Sequence, residues 1–159
     1  MTKKHIQVAG NSQYTRPQKP NELVKHPPSN TTCFGIFPGF KLKWVTFLSG
    51  PIHLRRGKHH GDHEGFGVEH IRAEHFKDIP DDETARAAAV QFVCSILQKG
   101  ADIYYEGGAG KSADRSTVCR NKFGVVILEA GKDGQNNTVY FVVTAIPKAN
   151  PHGTRVATL

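Results

Sequence analysis

The chain has 159 residues, enough for one domain with a core of ordinary size. Lys and Arg number 21 against 14 Asp and Glu, and the resulting formal charge of +7 favours a polyanionic partner: nucleic acid, an acidic protein or anionic lipid. No stretch is apolar for long enough to span a bilayer and no apolar signal core opens the sequence, so the expectation is no membrane span, and any export would need something upstream or separate to carry the chain. Cys33, Cys94 and Cys119 are odd in number and widely spaced, which argues against a disulfide framework and a cysteine zinc site. Cys94 and Cys119 are expected in the core, on a helix and a strand.

Residues 1–32 carry four of the nine prolines among polar residues without a sustained period, and read as an extended or disordered arm. Cys33–Phe40 reads as an aromatic packed loop, Lys43–Leu48 as a strand, and Ile52–Leu54 as a second, short strand after a turn. Gly57–Gly67, with four glycines, reads as a loop, followed by a short helix over Val68–Asp78. Asp81, Asp82 and Glu83 mark the start of a longer helix, with Ala85, Ala89, Phe92, Val93, Ile96 and Leu97 at helical spacing and Gly100 as its stop. Beyond it the period changes. Ile103–Glu106, Thr117–Arg120, Val125–Ala130, Val139–Ile146 and Thr154–Leu159 read as strands, joined so closely that antiparallel neighbours are expected. The fold class is therefore read as α+β: N-terminal helices packed on a four- to five-stranded antiparallel sheet, with residues 33–159 as one domain.

Six of the nine histidines fall between His53 and His75, beside the cations Arg55, Arg56 and Lys58. Imidazoles titrate near neutrality, so this cluster suits acid–base chemistry on a phosphodiester or the binding of a metal. A helical zinc motif needs histidines at i and i+4, whereas His70 and His75 are five apart, about 140° around a helix. His59, His60 and His63, with Asp62 and Glu64, offer a metal an alternative site in the glycine loop. On the short helix His75 shares the apolar stripe with Ile71, and His70 lies beside Glu74. Gly65 and Gly67 would allow a phosphate to approach the first amides of that helix. The string Tyr105–Ser112 looks like a phosphate-binding loop, but Tyr105 stands where the motif needs glycine and a strand follows where it needs a helix. Thr144 is either β-branched filler in a central strand or a hydroxyl that holds a phosphate oxygen.

The segment Gly57–His75 resembles the Gly-x-Gly-x-x-His-Ile-x-x-x-His signature of phage and polymorphic-toxin nucleases, in the superfamily that groups barnase, EndoU, colicin D and RelE. The order of elements over Ile52–Leu159 is similar as well. Val142–Pro147 resembles the late-strand Ser/Thr-Ala-Tyr-Pro segment of EndoU enzymes, with Ile146 in place of tyrosine. The resemblance implies a metal-independent endoribonuclease toxin, often directed at transfer RNA, which cleaves by 2′-hydroxyl attack and leaves a cyclic phosphate. It also implies deployment in bacterial competition, as in contact-dependent growth inhibition. The toxin would be secreted or delivered by a larger effector, act in the target-cell cytoplasm and be held by an acidic immunity protein. In that scheme His70 takes the 2′-proton, and His75 or a histidine of the 59–63 loop protonates the leaving oxygen. Arg120, Arg155 or Lys111 meets the phosphorane charge, and Thr144 positions the phosphate. Arg55, Arg56, Lys58, His59, His60 and Lys111 would bind the RNA, with no cofactor. Two other readings stay open: a metal-dependent nuclease built on the histidine loop, and a non-catalytic RNA-binding module.

Overall fold

The computed structural model describes residues 19–43, 45–106, 117–151 and 153–159. In chain order they form β1 (Ile36–Phe37), β2 (Phe40–Lys41), β3 (Thr46–Phe47), β4 (Gly50–His53), β5 (Lys58–Gly61), β6 (Glu64–Phe66), α1 (Gly67–His75), α2 (Asp82–Ile96), β7 (Asp102–Tyr105), β8 (Thr117–Asn121), β9 (Gly124–Lys132), β10 (Thr138–Pro147) and β11 (Thr154–Thr158). Seven strands make one sheet in the order β1-β4-β10-β9-β8-β7-β11, while β2-β3 and β5-β6 are separate two-stranded ribbons.

This corrects the expected architecture. Six strands precede the two described helices, so the helices are not N-terminal, and the main sheet has seven strands rather than four or five. It is also mixed: β4 pairs with β10 in parallel, Ile52 opposite Tyr140, whereas β7 through β11 pair antiparallel as their spacing implies. The early strands escaped periodicity because β1, β2 and β3 are two residues each, too short to show an alternation. The β4–β10 seam joins segments on either side of both helices, and no local signal encodes such a pairing.

One face of the sheet carries the core. Ile52, Ile103, Cys119, Val126, Leu128, Tyr140, Val142 and Ala145 project from it against Val68 and Ile71 of α1 and Ala89, Val93, Cys94 and Ile96 of α2. Asp81 caps α2, its carboxylate accepting from the Thr84 amide at 2.9 Å, as the acidic start implied. The helix ends at Ile96, before the glycine stop read at Gly100. The Phe37 ring stacks on Tyr140 at 4.1 Å, and Phe40, Phe47 and Tyr105 extend this aromatic cluster beneath β2 and β3. Tyr140 donates its hydroxyl to the Leu48 carbonyl, and burial pushes its pKa up to about 12. Burial likewise raises the Cys94 thiol to about 11 and Cys119 to about 12, which leaves both protonated and inert.

Residues 20–24 run alongside 54–57, with Arg56 N–H donating to Glu22 and Val24 N–H to Leu54, both at 2.8 Å. Residues 20–24 are thus pinned to the chain just after β4, and His26 and Thr31 bridge to close a turn over 27–30.

Candidate active site

Gly57–Gly67, expected as a loop, instead folds into the β5–β6 hairpin and the first residue of α1. Nothing in Lys58-His59-His60-Gly61 favours a strand by side chain; the crossing of backbones does. Gly57 (φ +80°) and Gly67 (φ +77°) lie so close that a Cβ on Gly67 would sit 2.9 Å from the Gly57 Cα. The glycines therefore bring hairpin and helix into backbone contact rather than opening room for a phosphate. The helix start is closed too: the Val68 and Glu69 amides donate to the Arg55 and Arg56 carbonyls at 3.0 and 2.9 Å. The expectation that these amides receive an anion is overturned, because the chain itself already satisfies them.

Against α1 the hairpin brings together three groups that the sequence separates. His59 on β5 and His70 on α1 place their Nδ1 atoms 3.1 Å apart, so one ring donates and the other accepts. Glu74 lies one helical turn beyond His70, and donor atoms of His59, His70 and Glu74 all fall within 4.8 Å of one another. A bulge between His59 and Gly61 bends β5 at this point, and Gly65 lies opposite His59. A Cβ on Gly65 would sit 2.9 Å from His70 Nδ1, so the bare glycine makes the space that the imidazole fills.

The three residues differ in their access to solvent. His59 is exposed, Glu74 is half-buried and His70 is only 5% exposed. Burial depresses the His70 pKa, aided by the charges of His59 and His75, while Glu74 and a hydrogen bond to the Glu64 backbone act in the opposite sense. Glu74 is held below the usual carboxylate range, chiefly because the His63 amide donates to its Oε2 at 3.2 Å. His63, at the hairpin turn with φ +63°, is almost fully exposed, and its Nδ1 lies 3.9 Å from Glu74 Oε1. The set amounts to an ionised carboxylate, a buried imidazole resisting protonation, and a solvent-facing imidazole bonded to it. Such a chain can accept a proton at His59 and share it inward, with Glu74 stabilising the cation.

The other expected site residues are dispersed. His75 ends α1 half-buried, its pKa lowered by burial, and it is outside the three-residue cluster. His60 and Lys58 are exposed on β5. The Arg55 guanidinium is sandwiched between the Phe66 and Phe141 rings, 4.2 and 4.4 Å from their centroids, and pairs with Glu129 at 3.5 Å. Arg56 is buried 3.7 Å from Glu69, which also pairs with Arg72 at 2.9 Å and Arg86 at 2.6 Å. Both arginines near the hairpin are therefore engaged in internal ion pairs.

Thr144 and Arg155 share one cross-strand row: Thr144 faces Ile127, Ile127 faces Val118, Val118 faces Tyr104, and Tyr104 faces Arg155. That row spans four inter-strand spacings, about 19 Å. Arg155 lies 3.2 Å from Asp102 at the far edge of the sheet, whereas α1 packs against β10. Arg120 is half-buried on β8, its Nε without a hydrogen-bond partner among the described residues. The fold does not gather Arg120 and Arg155 around His70, and Lys111 lies outside the described residues. The group that sequence reasoning missed is Glu74. Its signal was present, since His70-x-x-x-Glu74 has the i,i+4 spacing of a helical ligand pair with carboxylate in place of the second imidazole.

Among the described residues no helix is long and apolar enough to cross a membrane. Comparison with known proteins finds no matching family model, no matching curated protein and no matching solved structure.

Proposed function

We propose that this chain is an endoribonuclease in which the His59–His70 pair moves the proton of an RNA 2′-hydroxyl. The observation that carries the reading is the 3.1 Å Nδ1–Nδ1 contact between an exposed and a buried imidazole, backed by Glu74. His59 is the ring that RNA can touch and so serves as the base; His70 and Glu74 orient it and spread the charge it acquires. The reaction balances without an added co-reactant. The 2′-oxygen forms a bond to phosphorus, the bond to the 5′-oxygen breaks, and the proton taken from the 2′-oxygen returns to the departing 5′-oxygen through the imidazole pair. The products are a 2′,3′-cyclic phosphate and a 5′-hydroxyl, and the histidines need no metal ion for these transfers.

The net charge of +7 supports a polyanionic substrate. The resemblance to polymorphic-toxin nucleases supports deployment as a toxin acting in a target-cell cytoplasm, with transfer RNA as a substrate and an acidic protein as its antidote. The test is incubation of the purified chain with total RNA in EDTA, beside His59→Ala and His70→Ala variants, with end-group analysis of the fragments. Cyclic-phosphate ends that disappear in both variants support the reading. Intact RNA, or cleavage indifferent to both substitutions, overturns it.

A further inference from the structure

Beyond proton transfer, the same three side chains form the donor set of a transition-metal site. We propose that His59, His70 and Glu74 bind one Zn²⁺ ion, and that its occupancy switches off the nuclease chemistry; this second clause rests on the function proposed above, the first does not.

The argument starts from spacing. With Zn–N bonds of about 2.0–2.1 Å, two nitrogens on a tetrahedral ion lie about 3.3–3.4 Å apart. The His59 and His70 Nδ1 atoms lie 3.1 Å apart, so an ion inserted between them needs only a few tenths of an ångström of movement. Glu74 falls inside the same 4.8 Å envelope, on the helix face it shares with His70. Two imidazoles and a carboxylate suit zinc or a similar borderline ion, whereas magnesium and calcium prefer oxygens throughout.

A further contact braces the donors from behind: the His63 amide fixes the Glu74 carboxylate through Oε2. Metal-binding histidines and carboxylates are commonly oriented in this way, and here the brace comes from the backbone of the hairpin turn. Three protein ligands leave a fourth position, open to water or to the exposed imidazole of His63, 3.9 Å from Glu74.

Occupancy and catalysis exclude each other. A neutral imidazole has one basic lone pair, so an ion held at His59 Nδ1 leaves Nε2 carrying the ring proton and His59 with no base to offer. Zinc would therefore act as a reversible inhibitor, with a chelator as the activator.

The experiment titrates metal-stripped protein with Zn²⁺ against a chromophoric chelator, and measures RNA cleavage in parallel. Expected are one ion per chain, affinity lower by roughly 10- to 100-fold in His59→Ala and in Glu74→Gln, and unchanged affinity in His60→Ala. Circular dichroism of each variant separates loss of the site from loss of the fold. Cleavage by the metal-stripped protein, in buffer without EDTA, should fall as the first equivalent of zinc binds and return when EDTA is added. Absence of stoichiometric binding, or equal binding by wild type and the two ligand variants, overturns the site. Zinc bound at these residues with cleavage undiminished overturns the switch. Zinc binding by a protein that cuts no RNA in EDTA leaves the site standing and removes the proposed function instead.

Discussion

His59 and His70 meet at 3.1 Å although one belongs to a hairpin and the other to a helix. The contact depends on Gly65 being bare opposite His59, and on Glu74 receiving the His63 amide at the hairpin turn. Each of these dependencies has a measurable consequence.

The imidazole pair should be sensitive where His75 is not. His70→Ala removes the proton-sharing partner of His59 and should lower the rate of RNA cleavage in EDTA by roughly 10²-fold or more. His75→Ala, outside the cluster, should stay within a few-fold of wild type. Single-turnover rates on one defined RNA compare the two, and equal losses would place the chemistry elsewhere on α1.

Gly65→Ala should damage the site more than Gly61→Ala does. Both positions carry a positive φ, +135° and +152°, so each substitution carries backbone strain of about 1–3 kcal/mol. Only at Gly65 does the added methyl also meet the Lys58 carbonyl and, at 2.9 Å, His70 Nδ1; at Gly61 it meets nothing within 4 Å. Thermal melts should thus show the larger loss for Gly65→Ala, and cleavage measured where both variants remain folded should fall further in it. Equal activity in the two variants would argue that the ring is free to move aside.

Stability should fall with acid from just below neutrality. The folded-state pKa values of His70 and His75 are both lowered by burial, so the unfolded chain binds more protons than the folded one between the ordinary and the depressed values. Their stabilising contribution is complete above the ordinary pKa of about 6.5 and disappears as the pH drops through the depressed values. Urea midpoints at pH 8 and pH 5.5 test the sign. A higher midpoint at pH 5.5 would contradict it, and a His70→Asn, His75→Asn double variant should flatten the difference.

Glu69 joins three arginines, Arg56, Arg72 and Arg86, where α1 meets α2. The two strongest partners, first Arg86 and then Arg72, overcome a burial penalty and hold its pKa below the ordinary value. Glu69→Gln leaves three guanidinium groups facing one another without their shared anion. A loss of about 1–3 kcal/mol is expected, between the value of an exposed pair and that of a buried one. Chemical denaturation measures it, and a loss below the error of the method would mean that solvent takes the anion's place.

The late sheet was legible because Val139–Ile146 and Val125–Ala130 carry β-branched runs separated by turn residues, and α2 because its apolar positions repeat at helical spacing behind an acidic cap. The early ribbons were not. Gly57–Gly67 is glycine-rich and poor in strand formers, and becomes a hairpin only because its backbone crosses itself at Gly57 and Gly67. The candidate site was half legible. The histidine cluster stands out in composition, but which histidines meet depends on the bulge in β5 and the lie of the hairpin on α1. Arg55 and Arg56 looked like phosphate ligands by position, yet Phe141, Glu129 and Glu69 engage them from distant parts of the chain.

The parallel seam of Ile52 with Tyr140 also governs when the molecule becomes whole. A nascent chain leaving the ribosome carries its histidine hairpin long before it carries β10, the strand on which α1 rests, and contacts between such remote segments close slowly. Until β10 emerges, α1 and the imidazole pair it carries lack the strand that supports them, so the proposed chemistry would wait for the last third of the chain.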